Sequence, residues 1–189
     1  MKAEEAYKAE LKQNDIDHHT PTAGAMVGHI IANLLIHTLK INQAKFFAKG
    51  QASLFLEQHA DEWIRYEQNE FNQLNRILVN NGESIPTITD QFKEYTMLEE
   101  DGASKYEDDQ DQLFALVKDF DTQILFITKA IALAQKEAWP ELNASLIEFL
   151  AWIKEQICQS QNFLGHELRE GLYTREGLYT EEDDDDGDF

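Results

Sequence analysis

The stretch that most constrains the fold lies at residues 41–61, INQAKFFAKGQASLFLEQHAD. An apolar helical pattern leads into it from Met26, and a second amphipathic pattern leads out of it as far as Val79. Lys49-Gly50-Gln51, at the junction, is typical of a short break between two helices. Helices joined so tightly lie roughly antiparallel, and each still needs other elements to cover its apolar side. The stretch therefore predicts a helical hairpin inside a larger helical domain.

Composition supports an all-α domain. In 189 residues there are only nine glycines and three prolines, too few for a strand-rich fold with many tight turns. The single cysteine, Cys158, allows no internal disulfide. The first fifteen residues are polar, and neither a signal peptide nor a membrane span is predicted. The expected location is cytoplasmic.

The net charge of −20 limits the partners. Sixteen basic residues are outnumbered by 36 acidic ones, and no cluster gathers the cations on one face. A surface of this sign repels the phosphates of nucleic acid and of anionic lipid. We therefore expect no strong DNA binding and no membrane binding.

Residues 1–24 are predicted to be an N-terminal arm. Lysines and carboxylates are mixed in it, apolar residues are few, and Thr20-Pro21-Thr22 is typical of a helix start. Two carboxylates and two histidines stand just before that start: Asp15, Asp17, His18 and His19. Such side chains are usual metal ligands, so a weak metal site is one interpretation. A solvated loop is the other.

The first long helix has one continuous face, because its residues recur in alternating steps of four and three. The positions on that face are Val27, Ile31, Leu34, Thr38, Ile41 and Lys45. Lys45 thus stands where an apolar or functional side chain is expected. His29 and His37 fall off this face, and we predict that both are surface or boundary residues.

A polar face follows on the second long helix. Four residues share it: Glu57, Asp61, Asn72 and Arg76. They are separated by steps of four and eleven residues, which are close to one and three helical turns. The face is either solvated or part of a site, and the pattern alone leaves both open.

The rest of the chain completes a four-helix arrangement. Residues 87–100 are predicted to form a short helix inside a long connection, with a start signal at Thr89-Asp90. Strongly periodic segments at 113–135 and 141–164 are predicted as the third and fourth long helices. Two helical hairpins joined by a long crossover are typical of the ferritin-like four-helix bundle, expected here over residues 25–165.

Residues 166–189 are predicted to be an acidic, disordered tail. The hexapeptide Arg-Glu-Gly-Leu-Tyr-Thr occurs twice in it, at 169–174 and again at 175–180. Two copies of six residues are too few for a repeat fold. Residues 165–189 hold ten acidic and two basic side chains, so we expect solvated chain that attracts cations only loosely.

The hairpin resembles a known family. QAKFFAKG at 43–50, then LFLE at 54–57 and Asp61, looks like the turn of the Dps family of mini-ferritins. In that family the stretch reads much like Q-A-H-W-x-x-[KR]-G and then F-x-x-L-H-x-x-x-D. NNGESIP at 80–86, followed by TDQF at 89–92, is similar to the family's passage into the connection. The resemblance covers roughly residues 25–165.

The resemblance implies a dodecameric shell that takes up ferrous iron, oxidises it with peroxide between paired subunits and stores the mineral inside. Iron is therefore the implied metal, and protection against oxidative and starvation stress is the implied role. The family's ligands are two histidines, two aspartates and a glutamate, three from one subunit and two from its partner.

This chain departs from that ligand set. The first-helix histidine falls on Lys45 and the second-helix histidine on Glu57, while one aspartate is kept as Asp61. The two ligands from the partner fall on Asn72 and Arg76. Only Glu57 and Asp61 could still bind metal, and the two cations balance their charge without it. The set indicates a ferroxidase centre converted into ion pairs.

Three functions stay open. The chain could be an active ferroxidase that uses Glu57, Asp61 and unrecognised ligands. It could instead be a structural or regulatory shell subunit, alone or co-assembled with an active relative, whose own centre is lost or impaired. The third interpretation is an unrelated all-α interaction module. The ligand substitutions favour the second.

Overall fold

The computed structural model describes residues 2–173, apart from the side chain of His18. Its helices are α1 (Ala3–His19), α2 (Ala23–Phe47), α3 (Gln51–Asn80), α4 (Thr89–Tyr95), α5 (Asp109–Lys136) and α6 (Pro140–Leu164), with a 3-10 turn at Ser104–Tyr106. No strand occurs among these residues, and the all-α prediction is confirmed. The second copy of the hexapeptide, at 175–180, and the acidic run after it lie outside the described residues.

The four long helices form a bundle made of two hairpins. α2 and α3 are joined by residues 48–50, and α5 and α6 by residues 137–139. Residues 81–108 cross between the hairpins and contain α4, which packs against α2. α2 also packs against α3 and α5, and α5 packs against α6. The predicted ferritin-like bundle with a short helix in its long connection is confirmed.

Aromatic side chains join three of the long helices at the centre of the core. Trp63 of α3, Phe120 of α5 and Phe149 of α6 are fully buried. The rings of Trp63 and Phe120 meet edge to face with centroids 5.1 Å apart. Trp63 Nε1 donates a hydrogen bond to Gln156 Oε1 at 2.9 Å, so its polar group is satisfied inside the core.

The tight turn between α2 and α3 depends on a glycine and on a distant aspartate. Gly50 has φ of +79°, a conformation that strains other residues. A Cβ atom there would also lie 2.9 Å from Asp109 Oδ2. That same oxygen accepts a 2.7 Å hydrogen bond from the backbone N–H of Ala52. Asp109, at the start of α5, therefore satisfies a free donor at the positive end of α3.

The residues before α2 are helical, so the loop predicted around residues 15–19 is wrong. Asp15, Asp17, His18 and His19 lie in the last turns of α1, where His19 Nδ1 is 2.7 Å from the carbonyl oxygen of Asp15. Alanine, glutamate and lysine have high helix propensity, and here that propensity outweighs the shortage of apolar residues. The helix start after it is confirmed, because Thr22 Oγ1 accepts the N–H of Ala25 at 3.1 Å.

The prediction that His37 is a surface or boundary residue is wrong. α2 lies against α3, α4 and α5, so it is buried well beyond its one predicted face, and His37 is fully enclosed. His29 is half-buried, as predicted, with Nδ1 2.8 Å from the carbonyl oxygen of Tyr95. By length and composition α2 is the one described helix apolar enough to cross a bilayer, but most of its apolar stretch is buried in the bundle.

Candidate functional site

The candidate site begins where the end of α2 meets α3. Lys45, in the last turn of α2, places Nζ 2.5 Å from Asp61 Oδ1. The two side chains are 25% and 65% exposed. An ion pair this exposed contributes at most about 1 kcal/mol to the stability of a single chain. The ion pair matters more for metal binding than for stability. It places an ammonium group beside Asp61, the one carboxylate that this site shares with the Dps motif.

The other predicted site residues lie on the same outer face of α3. Glu57 stands one turn before Asp61, while Asn72 and Arg76 follow three and four turns after it. All four of these side chains are exposed, so they lie on the side of α3 that faces solvent in one chain. Among the described residues of one chain, Glu57 and Arg76 make no ion pair. At about 1.5 Å per residue, Asp61 and Asn72 are about 16 Å apart along the helix.

The arrangement in one chain does not suit ferrous iron. Such a site needs several carboxylate or imidazole ligands that converge on one point. Among the side chains that the structure describes, which do not include that of His18, no three from His, Cys, Asp or Glu come close enough to hold a metal ion. Beside Asp61, the ammonium group of Lys45 is hydrogen-bonded to Oδ1 of the carboxylate. The residues present therefore favour an ion pair over a bound metal.

Two apolar residues of the same face were not recognised from the sequence. Leu54 and Val79 lie near the two ends of α3 and are 63% and 55% exposed. They continue the spacing of the polar residues, because Leu54 is three positions before Glu57 and Val79 is three positions after Arg76. Extending the helical period beyond the polar positions would have found them. The outer face of α3 is thus polar in the middle and apolar at both ends.

A cluster of buried polar side chains was also not predicted from the sequence. His37 Nδ1 lies 2.5 Å from Glu67 Oε1, and both side chains are inside the bundle. Thr38 Oγ1 lies 3.4 Å from Glu67 Oε2, and Lys40 Nζ donates to Asp119 Oδ1 at 2.9 Å nearby. A sequence signal did exist for Glu67, since it lies four residues after Trp63 on the core side of α3.

Neither a family model nor a curated protein matches the chain. Solved structures do match. DpsB of Lactococcus lactis is 34% identical over 87% of this chain and 95% of its own, with a TM-score of 0.81. DpsA of Lactococcus lactis is 31% identical over 89% of this chain and 99% of its own, with a TM-score of 0.84.

A more distant structure has the same fold. Dps of Listeria monocytogenes is 24% identical over 80% of this chain and 98% of its own, with a TM-score of 0.76. Because the chain covers nearly all of two Dps structures to which it is more than 30% identical, it belongs to the Dps family of mini-ferritins.

Proposed function

We propose that this protein is a shell subunit whose family role is iron sequestration and protection against oxidative and starvation stress in the cytoplasm. Its own ferroxidase centre is lost or impaired. The observation that carries this proposal is the contact between Lys45 Nζ and Asp61 Oδ1 at 2.5 Å. A cation of the protein thereby replaces the cation that a ferroxidase centre binds.

Electrostatics support an inactive centre. Ferrous iron beside Asp61 would lie within a few ångströms of the Lys45 ammonium group. The repulsion between a divalent ion and an ammonium at that range is on the order of a few kcal/mol, even at an effective dielectric of about 20. Lysine also offers no lone pair while it is protonated, so it repels the ion without ligating it.

The outer face of α3 supports a two-fold partner. An antiparallel second copy of α3 that places residue 57 opposite 76 also places 61 opposite 72 and 54 opposite 79. Glu57 would then meet Arg76 of the partner subunit, and Asp61 would meet the partner subunit's Asn72. The exposed Leu54 would meet Val79 of the partner subunit, so the face is complementary to itself.

Charge balance supports the same pairing. Each centre would contain the carboxylates of Glu57 and Asp61, the ammonium of Lys45 and the guanidinium of the partner subunit's Arg76. These charges cancel without a metal, and paired charges tolerate burial at an interface far better than single ones. The assembly is a shell of about twelve subunits, formed by this chain alone or together with an active relative.

The acidic surface argues against strong DNA binding as a second function. The net charge is −20, and the lysines of α1 alternate with carboxylates such as Glu4, Glu5 and Glu10. Phosphate contacts supply most of the affinity of proteins for duplex DNA, and they require an excess of cations at the contact surface. We expect no mobility shift of duplex DNA that persists at about 150 mM salt.

Anaerobic titration of the pure protein with ferrous iron, followed by addition of peroxide, tests the proposal. We expect no saturable ferrous binding at the centre and no rapid oxidation in proportion to the number of centres. Rapid oxidation of two irons per centre would instead identify an active ferroxidase with atypical ligands. Particle mass in solution tests the shell, for which a monodisperse monomer is the contradictory result.

A further inference from the structure

The chain folds back onto the bundle after α6. Gly165 ends that helix in the left-handed conformation. Gln161, which is fully buried, then binds the returning chain through Nε2, which donates to the carbonyl oxygens of Leu168 at 3.3 Å and of Glu170 at 3.0 Å. Residues 169–173, from the first copy of the hexapeptide, are therefore held against α5 and α6.

A buried carboxylate on α5 receives this copy. Arg169 places a guanidinium nitrogen 3.3 Å from Asp121 Oδ1, and the backbone N–H of Tyr173 donates to Asp121 Oδ2 at 2.8 Å. Asp121 is almost inaccessible to solvent. A buried carboxylate is costly without a partner charge, so this position selects an arginine and a backbone N–H at a fixed spacing.

The glycine of the copy is needed as well. Gly171 has φ of +70°, and a Cβ atom on it would lie 2.7 Å from Cζ of Phe114. Leu172, the next residue, packs against the hydrophobic core. We call Phe114, Asp121 and Gln161 the tail-docking site. It recognises arginine, glycine and leucine in the order in which the hexapeptide presents them.

The same six residues follow immediately, at 175–180. Arg175, Gly177 and Leu178 repeat the recognised side chains at the same spacing, and Tyr179 repeats the N–H donor. We propose that this second copy is an alternative occupant of the tail-docking site of its own chain and exchanges with the first copy.

The first copy is favoured, but by a limited factor. Arg169 lies four positions after Gly165 and Arg175 lies ten, so the second copy closes a longer loop. Loop closure then favours the first copy by about fourfold. Exchange leaves Asp121 paired in both states, because each copy brings its own arginine.

The exchange changes where the acidic residues at 181–188 are attached. In the first state residues 175–180 separate the docking site from the acidic run, whereas in the second state those six residues occupy the site and the run follows it directly. Six extended residues span about 20 Å, so the acidic run is held nearer to the bundle by up to that length. The duplication thus provides two attachment lengths for the same group of negative charges.

Paired arginine substitutions test whether one copy replaces the other. Arg175→Ala is the matched control for Arg169→Ala, because each removes one arginine from one of two identical hexapeptides. We expect Arg175→Ala to leave the thermal midpoint of the assembled protein unchanged and Arg169→Ala to lower it by only about 1–2 °C. The double variant should lose about 5 °C or more, since Asp121 then has neither arginine. A loss in Arg169→Ala equal to that of the double variant would overturn the proposal.

A disulfide assay detects the second state directly. Cys158 is first replaced by serine, because it is exposed and free. Thr122→Cys, beside Asp121, is then combined with Tyr173→Cys or with Tyr179→Cys. The Tyr173 side chain is 88% exposed and the residue binds Asp121 through its backbone, so cysteine keeps that contact. The pair with Tyr173→Cys reports the first state, and the pair with Tyr179→Cys reports the second.

Adding Gly171→Ala should shift the disulfide from the first state to the second. We expect the yield of the 122–179 pair to rise severalfold, and further addition of Gly177→Ala to abolish the rise. Asp183→Cys with Thr122→Cys controls for random collisions of the tail. Equal yields at 179 and 183, or an unchanged 179 yield with Gly171→Ala, would overturn the exchange. Disulfides between isotopically distinct subunits would overturn its assignment to the same chain.

Discussion

His37 and Glu67 share a hydrogen bond in a part of the bundle that solvent does not reach. Nδ1 of the histidine lies 2.5 Å from Oε1 of the glutamate, and the pair joins α2 to α3. The Phe120 ring meets the imidazole edge to face, with centroids 4.6 Å apart. The nearest other charged groups are Asp119 on α5 and Lys40 on α2.

The pKa values of both groups are raised in the folded protein, for different reasons. Burial alone lowers the pKa of His37, but the charge and hydrogen bond of Glu67, with Asp119 assisting, outweigh it and raise that pKa above 6.5. Burial raises the pKa of Glu67 above 4.5 by more than His37 lowers it. The folded protein therefore holds these protons to higher pH than the unfolded chain does. The stabilisation is complete below the unfolded values and is lost as pH rises through the folded ones.

We predict that the unfolding free energy falls as pH rises above 6.5 because of this pair. A variant with both His37→Gln and Glu67→Gln should lose most of this dependence, since neither amide titrates. His19→Gln, which removes an exposed imidazole from α1, should keep it. Chemical denaturation at several pH values gives the unfolding free energy of all three proteins. An unchanged dependence of that free energy on pH in the double variant would contradict the prediction.

Glu70 provides a second pH-dependent position with the same sign. Burial raises its pKa to about 7, although Ser145 Oγ donates a hydrogen bond to it at 3.0 Å. Its stabilising contribution is therefore lost as pH rises from 4.5 through 7. Glu70→Gln should stabilise the protein by about 1–3 kcal/mol at pH 8 and change little at pH 5. The exposed Glu62→Gln on the same helix serves as a control and should be neutral at both.

The contact between Asp109 and Ala52 predicts a specific loss at the hairpin turn. Asp109→Ala removes the acceptor of the Ala52 N–H and should cost about 1–2 kcal/mol of unfolding free energy. Asp111 lies in the same first turn of α5 and is exposed. Asp111→Ala should cost less than about 0.5 kcal/mol, because it changes only the interaction with the helix dipole. Denaturant midpoints of the two variants give their losses of unfolding free energy. Equal losses would show that the charge at the helix start, and not the hydrogen bond to Ala52, stabilises the turn.

The two-fold pairing of α3 predicts a charge-swap result. Arg76→Glu and Glu57→Arg should each place like charges across the interface and reduce the mass of the particle in solution. The combined variant restores opposite charges and should recover the particle. Glu62→Arg changes the charge of α3 by the same amount off this face and should leave the mass unchanged. Failure of the combined variant to recover would contradict the pairing.

Restoring the family ligands should restore iron chemistry. The variant carries Lys45→His, Glu57→His, Asn72→Asp and Arg76→Glu. It removes both cations and returns four ligands beside Asp61, so we expect saturable ferrous binding and peroxide-dependent oxidation. Arg76→Glu alone should weaken the interface without restoring catalysis. Adding Asp61→Asn to the full variant should abolish the gain, and a gain that survives this change would place the iron elsewhere.

Local sequence patterns determined the helices and the face that carries the candidate site. The break at Lys49-Gly50-Gln51 and the short helix at Thr89–Tyr95 follow from residues within one or two turns of each boundary. The shared face of Glu57, Asp61, Asn72 and Arg76 follows from the rise and twist of a single helix. The same patterns failed just before α2, where residues 15–19 continue helix α1 instead of forming the predicted loop.

Contacts between distant residues were decided only by the tertiary structure. His37 and Glu67 are 30 positions apart, Ala52 and Asp109 are 57 apart, and Asp121 and Arg169 are 48 apart. From the sequence alone, a histidine off the main apolar face and an aspartate at a helix start are both expected to lie at the surface. Packing brings a partner from another helix to each of them, and that partner offsets the cost of burying the charge. Helical periodicity states which residues share a face, but which two faces meet depends on the packing of the whole bundle.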